Sequence, residues 1–214
     1  MDLAERLEKL YASAVYDVMR EMGHDDCVLP PTIRPLRRGD NLAGEVQTIN
    51  GHYEKGMDVD RTLLGWATVL SQAPAGKVLI CQPNNDEIAL MGELSAEALT
   101  LKGVRGYIAD GGCRDVDFLL RRDFPVFARF YTPKDIGGRW LVESMGEPIQ
   151  IGGVAVRAGD YVLADTDGIV ILPADIAEEV VAKTEAVAST ENEMRDAILA
   201  GVDPVEAYKK YGMF

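Results

Sequence analysis

The sequence predicts a mixed α/β domain with helices at both ends. Between residues 78 and 128, short apolar runs alternate with helical periods in the order strand, helix, strand, helix, strand. After residue 148, four short apolar segments are separated by turns rich in Gly and Asp, the pattern of an antiparallel meander. The chain has 214 residues, 47% apolar and 27% charged, so one hydrophobic core is within reach and a single domain over residues 1–214 is expected.

Each element follows from local pattern. Leu3, Leu7, Leu10, Ala14, Val18 and Met22 recur every three or four residues and predict one amphipathic helix over 3–22, ended by Gly23. Residues 27–40 hold three prolines with Arg34, Arg37 and Arg38 and read as loop. Residues 43–49 alternate as a strand, and the polar run 50–56 reads as loop. A helix is expected from about 60 to 70, then a fully apolar strand at 78–81 of the buried parallel kind. A helix over 92–102 closes at Gly103, followed by a strand at 105–109, a short helix at 116–122 and a strand from 125. Strands at 148–151, 154–156, 161–164 and 168–172 form the meander. Pro173 is read as the first position of a long helix over 173–200 that packs on the domain or reaches a neighbouring subunit. A last helix covers 205–211.

Composition narrows the function. Lys and Arg number 22 against 35 Asp and Glu, a net charge of −13, which repels phosphate backbones and makes nucleic acid an unsuitable partner. No run of 18 apolar residues exists, so no membrane span is expected, and the charged start Met1–Arg6 lacks a signal core, which predicts a cytoplasmic protein. Cys27, Cys81 and Cys113 form no Cys-x-x-Cys pair. With only His24 and His52, a metal here should be a hard ion held by carboxylates and water.

The chemistry concentrates between Gly92 and Asp115. If the strands at 78–81 and 105–109 are parallel, the intervening helix crosses over right-handed, and its N-terminus meets the carboxyl end of the second strand. Gly92-Glu93-Leu94-Ser95 and Gly111-Gly112-Cys113-Arg114-Asp115 should then face one another. Free N–H groups at Leu94 and Ser95 suit a carboxylate, Arg114 a second carboxylate or an oxyanion, and Asp115 a Mg²⁺ or Mn²⁺ ion, with Glu93 on the water of that ion. Gly111 and Gly112 would allow close approach of substrate to backbone. Structural roles are open at the same positions: Asp115 as an N-cap, Glu93 as a first-turn acid, Gly-Gly as a turn.

The runs Gly92-Glu93-Leu94-Ser95-Ala96 and Arg105-Gly106-Tyr107-Ile108-Ala109-Asp110-Gly111-Gly112-Cys113-Arg114-Asp115 resemble the signature of the RraA-like family. So do Gly152-Gly153-Val154-x-Val156, Gly159-Asp160 and Ala164-Asp165-x-Asp167-Gly168-x-Val170, and the similarity extends from about residue 10 to 212. The resemblance implies a β/β/α sandwich of the swivelling-domain type, assembled as homotrimers or homohexamers. It implies a divalent-metal-dependent aldolase that cleaves a 4-hydroxy-2-oxo acid of the 4-hydroxy-4-methyl-2-oxoglutarate type to release pyruvate, with oxaloacetate decarboxylation common among members. Asp115 matches the metal-holding aspartate, Arg114 the substrate-binding arginine, and Gly92, Glu93, Leu94 and Ser95 the substrate-binding loop. A glutamate from a neighbouring subunit's C-terminal helix matches Glu191 or Glu193, of which Glu193 is taken as catalytic. The alternatives are a family enzyme acting on another hydroxy or sugar acid, and a regulator resembling the family's ribonuclease E inhibitors, which lack the metal ligand.

The sequence departs from the family at Met91, where Trp is frequent, and at Cys113, where Val or Ala is usual. His52, Tyr53, Glu54 and Trp140 match no aldolase pattern. His52 reads as an exposed loop residue, Cys113 as a small apolar filler, and Asp165-Thr166-Asp167-Gly168 as a hairpin turn rather than a calcium loop.

Overall fold

The computed structural model describes residues 2–212. In chain order the elements are α1 Leu3–Leu7, α2 Ala12–Glu21, β1 Arg34–Pro35, β2 Leu42–Tyr53, α3 Val59–Gln72, β3 Lys77–Gln82, β4 Ala89–Met91 and α4 Glu93–Leu101. They continue with β5 Gly106–Ala109, β6 Gly112–Cys113, α5 Val116–Leu119, β7 Val126–Ala128, β8 Phe130–Tyr131 and β9 Trp140–Met145. The last are β10 Ile149–Ile151, β11 Val154–Val156, β12 Tyr161–Ala164, β13 Ile169–Leu172, α6 Ala177–Leu199 and α7 Pro204–Tyr211. The class is the mixed α/β arrangement that the alternation of periods predicts.

The main sheet runs β1-β7-β5-β3-β2-β12-β13, with β9 added to the far part of β2. Its centre is parallel (β2 with β3, β3 with β5, β5 with β7), and its flanks are antiparallel. The central strands are apolar on both faces because both faces are covered. On one face Leu79, Cys81, Tyr107 and Ala109 pack with α3, α4 and a second, three-stranded parallel sheet, β4-β6-β8. On the other, Val46, Val78, Ile80 and Ile108 pack against Ile149, Ile151, Val154 and Val156 of the β10–β11 hairpin. A third cluster joins α1 and α2 to the first half of α6 through Leu7, Val15, Met19, Val180 and Val181.

Four expectations need correction, each for a tertiary reason. The predicted helix over 3–22 is two helices. The break at 8–11 is held by Asn41, whose amide donates to the Glu8 carbonyl (2.7 Å), and by Asp165, whose carboxylate accepts from the Ala12 N–H (2.8 Å) at the start of α2. Residues 50–53 are strand rather than loop, because β9 supplies partners for them, with a register shift between Asn50 and Gly51. The meander is two hairpins in different layers: β12–β13 joins the main sheet through β2, while β10–β11 covers its face. Pro173 precedes a turn, and α6 begins at Ala177, because the Ala174 N–H bonds the Asp160 carboxylate (3.2 Å) before the helix starts.

Candidate functional site

The small parallel sheet builds the site. Its three strands end side by side, and each delivers a loop to the same place. β4 leads into Gly92 and α4, β6 into Arg114 and Asp115, and β8 into the 132–139 loop with Asp135 and Ile136. The Arg114 N–H donates to the Met91 carbonyl (2.9 Å), and the Thr132 N–H to the Cys113 carbonyl (3.0 Å), which fixes the register of the three exits. The crossover from β3 through α4 to β5 is parallel as expected, but the functional edge is that of the second sheet. Asp110 and Gly111 carry the chain from β5 across to β6.

Asp115 adopts φ 56°, ψ 35°, a left-handed conformation that costs an L-residue with a Cβ about 1–2 kcal/mol. It makes no side-chain cap to α5, so the N-cap role does not explain it. Its Oδ2 instead accepts from the Glu93 N–H at the start of α4 (3.2 Å) and lies 3.4 Å from Arg114 Nε. Oδ1 has no partner among the described residues. Gly92 permits this approach: a Cβ there would stand 2.6 Å from Asp115 Oδ2 and 3.0 Å from Arg114 Cγ. The N–H groups of Leu94 and Ser95 sit in the first turn of α4, where no helix carbonyl can reach them.

These groups line a cleft of about 300 Å³. Gly92, Leu94, Ser95, Arg114 and Asp115 line it together with Leu63, Trp66, Ala67 and Leu70 of α3 and with Asp135 and Ile136. Trp66 Nε1–H donates to Ser95 Oγ (2.9 Å) and so ties α3 to α4 across the floor. Arg114 is held between two carboxylates, Asp115 and Asp135 (Nη1 to Oδ2 3.7 Å). Sequence reasoning passed over Asp135, Trp66 and Ile136. Only the polar, Gly-rich run after Phe130 hints at a third loop on this edge.

Other expected residues are placed elsewhere. The Glu93 carboxylate leaves the cleft and pairs with Arg122 of the segment after α5 (3.5 Å), and only its N–H joins the site. Glu193 is exposed on α6 near Lys210, and Glu191 bonds the Tyr11 hydroxyl and Arg195 (2.8 Å), so within one copy neither meets Asp115. Gly111 and Gly112 do not open the backbone to a ligand. Pro83 packs on the first, and the Phe130 ring and Ile88 carbonyl on the second, so their role is the close approach of the two sheets. Burial pushes the Cys113 thiol up to about 12, helped by the Asp115 charge, and the thiol is a filler beneath the site. Burial also raises Asp110, although Arg129 (3.2 Å) opposes the shift. His52 faces Glu143 (2.9 Å) on β9, away from the cleft. Trp140 is fully buried and donates to the Pro83 carbonyl (3.0 Å). Asp165 caps a hairpin turn and the start of α2, so it holds no calcium loop.

The donor set defines what ion the site suits. Among the described residues no three His, Cys, Asp or Glu side chains converge to enclose a metal. One carboxylate with a free oxygen, in an open cleft, fits a hard divalent ion that keeps most of its water.

The molecule is a mixed α/β fold with an Asp–Arg pair at the exit of a small parallel sheet. A family model described as Aldolase/RraA matches residues 12–171, and the chain belongs to the RraA-like family. A putative 4-hydroxy-4-methyl-2-oxoglutarate aldolase of Pseudomonas syringae pv. tomato is 35% identical over 150 residues, 70% of this chain and 87% of the relative. The crystal structure of an uncharacterised protein from the same organism superposes with TM-score 0.87 at 25% identity, covering 98% of this chain and 93% of that one. Streptomyces coelicolor RraAS2, an unusual member of the RNase ES inhibitor RraA family, shares the fold (TM-score 0.79, 23% identity, 90% and 95% covered). Protein DlpA of Legionella pneumophila is 26% identical over 98% of this chain, which spans only 34% of DlpA's length. Among the described residues no helix is long and apolar enough to cross a membrane.

Proposed function

We propose that this chain is a divalent-metal-dependent aldolase that cleaves a 4-hydroxy-2-oxo acid and releases pyruvate. The observation that carries the reading is Asp115: a strained residue whose carboxylate is tied to the α4 N-terminus by one oxygen and free at the other, beside Arg114. The relatives named as putative 4-hydroxy-4-methyl-2-oxoglutarate aldolases support it.

Asp115 would hold a Mg²⁺ or Mn²⁺ ion together with water. When bound, the ion supplies Lewis-acid polarisation of the 2-oxo group. The Leu94 and Ser95 N–H groups receive the substrate carboxylate, aided by the positive end of α4. Arg114 holds the oxygen on which negative charge grows as the C3–C4 bond breaks. The hydrogen bond from the Glu93 N–H holds the Asp115 carboxylate at the cleft before substrate arrives. The proton of the C4 hydroxyl passes to water held by acidic side chains. Glu93 serves there once its carboxylate leaves Arg122, and the partner subunit's Glu193 completes the site in a trimer or hexamer. Oxaloacetate decarboxylation would use the same charge stabilisation.

The test is pyruvate release from 4-hydroxy-4-methyl-2-oxoglutarate and oxaloacetate, with Mg²⁺ and with chelator. A protein-free blank subtracts spontaneous oxaloacetate decay, and Asp115→Ala serves as the control. Metal-dependent turnover that falls by at least ~100-fold in the variant is expected. A folded protein that binds no Mg²⁺ or Mn²⁺ and turns over neither substrate contradicts the aldolase and favours the regulator.

A further inference from the structure

We propose that Tyr131 is a substrate-contacting residue whose hydroxyl binds the carboxylate on C4 of the 4-hydroxy-2-oxo acid, in a second lobe of the site. This inference deepens the aldolase reading and rests on it.

A second cavity of about 300 Å³ lies beside the first. Among the described residues, Arg114 and Asp115 are the two that line both. The pair therefore stands between two lobes. Their chemistry differs. The first lobe holds the start of α4 and the apolar side chains of α3. The second is lined by Tyr131, Thr132 and Pro133, at and just beyond the end of β8.

The fold fixes Tyr131 in that place. Parallel pairing of β6 with β8 sets Tyr131 opposite Cys113, one residue before Arg114. The Thr132 N–H donates to the Cys113 carbonyl (3.0 Å), which holds that register. The Tyr131 side chain is not needed by the core, since the residue is 60% exposed. Its hydroxyl has no hydrogen-bond partner among the described residues. Partial burial, and after it the neighbouring Cys113, raise the phenol above its ordinary value, so at neutral pH it is a protonated donor. Thr132 Oγ accepts from the Lys134 N–H (3.3 Å) and keeps its own proton to donate.

These donors suit the end of the substrate that the first lobe does not serve. The 2-oxo acid head is received by the N–H groups of α4 and by the ion at Asp115. The C4 end then crosses the Asp115–Arg114 pair toward β8. A carboxylate there accepts from the phenol, and Arg114, which reaches both lobes, is its cation. The inference stands on donors that this chain itself provides. Groups from a neighbouring copy add to them and do not replace them.

The experiment measures binding by calorimetry with Mg²⁺ present, for wild type and Tyr131→Phe. The substitution removes one hydroxyl from an exposed ring, so the melting temperature should not change. The probes are 2-oxoglutarate, which carries a carboxylate on C4, and 2-oxobutanoate, which carries none. Tyr131→Phe should weaken 2-oxoglutarate by about tenfold and 2-oxobutanoate by less than about twofold. With 4-hydroxy-4-methyl-2-oxoglutarate as substrate, KM should rise by about the same tenfold while kcat changes little. Equal weakening of both probes, or of neither, overturns this inference, and pyruvate release by wild type then leaves the aldolase reading standing. Selective weakening of 2-oxoglutarate in a protein that releases no pyruvate supports the second lobe and overturns the aldolase reading. A wild type that binds neither probe overturns both.

Discussion

At the scale of single residues, the site depends on one close approach. Gly92 is where α4 begins, and a methyl group there would press on the Asp115 carboxylate and the Arg114 stem. Both are side chains able to move, so Gly92→Ala should leave the fold intact and displace the chemistry. We expect kcat/KM to fall by about 10- to 100-fold with the melting temperature nearly unchanged. Unchanged activity would mean that the position of Asp115 is not critical. Cys81 and Cys113 make the opposite case. Burial pushes both thiols up to about 12, so almost no thiolate exists at neutral pH. In the native protein neither should react with a maleimide, and labelling should require denaturant. Rapid native labelling with loss of turnover would contradict the reading of these thiols as inert filler. Asp115 and Arg114 were legible in the sequence because a Gly-Gly turn before a charged pair closes a strand. Asp135 was not, since its loop meets theirs only through pairing of β6 with β8.

At the scale of elements, the informative surprise is β2. Its polar last third, Asn50–Tyr53, has no strand pattern of its own and becomes strand because β9 pairs with it. The price is a tight junction at Gly51, where a Cβ would lie 2.1 Å from the Trp140 ring and 2.5 Å from the Leu141 carbonyl. Trp140 is buried and anchored on Pro83, so it cannot yield cheaply. Gly51→Ala should therefore cost about 3 kcal/mol or more in denaturant unfolding. A loss below ~1 kcal/mol would show that β9 is loosely attached. Elements with a strong private period, α3, α4, β3 and β5, are where the periodicity puts them. The short strands β4, β6 and β8 carry two or three residues each, too few for any period, and they exist because their neighbours do. The helix over 3–22 fails for a similar reason: its periodicity is continuous, but distant Asn41 and Asp165 bond the backbone at its middle.

At the scale of the whole molecule, the chain presents a nearly complete site and a long helix with unused surface. Buried residues of α6 lie mostly in its first half, Ala177, Val180, Val181 and Thr184, and beyond them Met194 alone is buried. Glu193 is exposed on the second half of α6, beside Lys210 of α7. If the site is shared, Glu193→Gln and Asp115→Ala should each be inactive alone. Co-assembled in equal amounts, they should regain about a quarter of wild-type activity through sites that combine one intact residue from each. No recovery, or full activity in Glu193→Gln, would confine the chemistry to one chain. The net charge of −13 supports neither reading, but it makes an acidic substrate depend on the ion and on the few cations near it. The measurement that bears most directly on the account is Mg²⁺-dependent pyruvate release from a 4-hydroxy-2-oxo acid by wild type and Asp115→Ala. The account predicts turnover that vanishes with chelator and with the substitution while the fold persists. Equal turnover by the two proteins would contradict it.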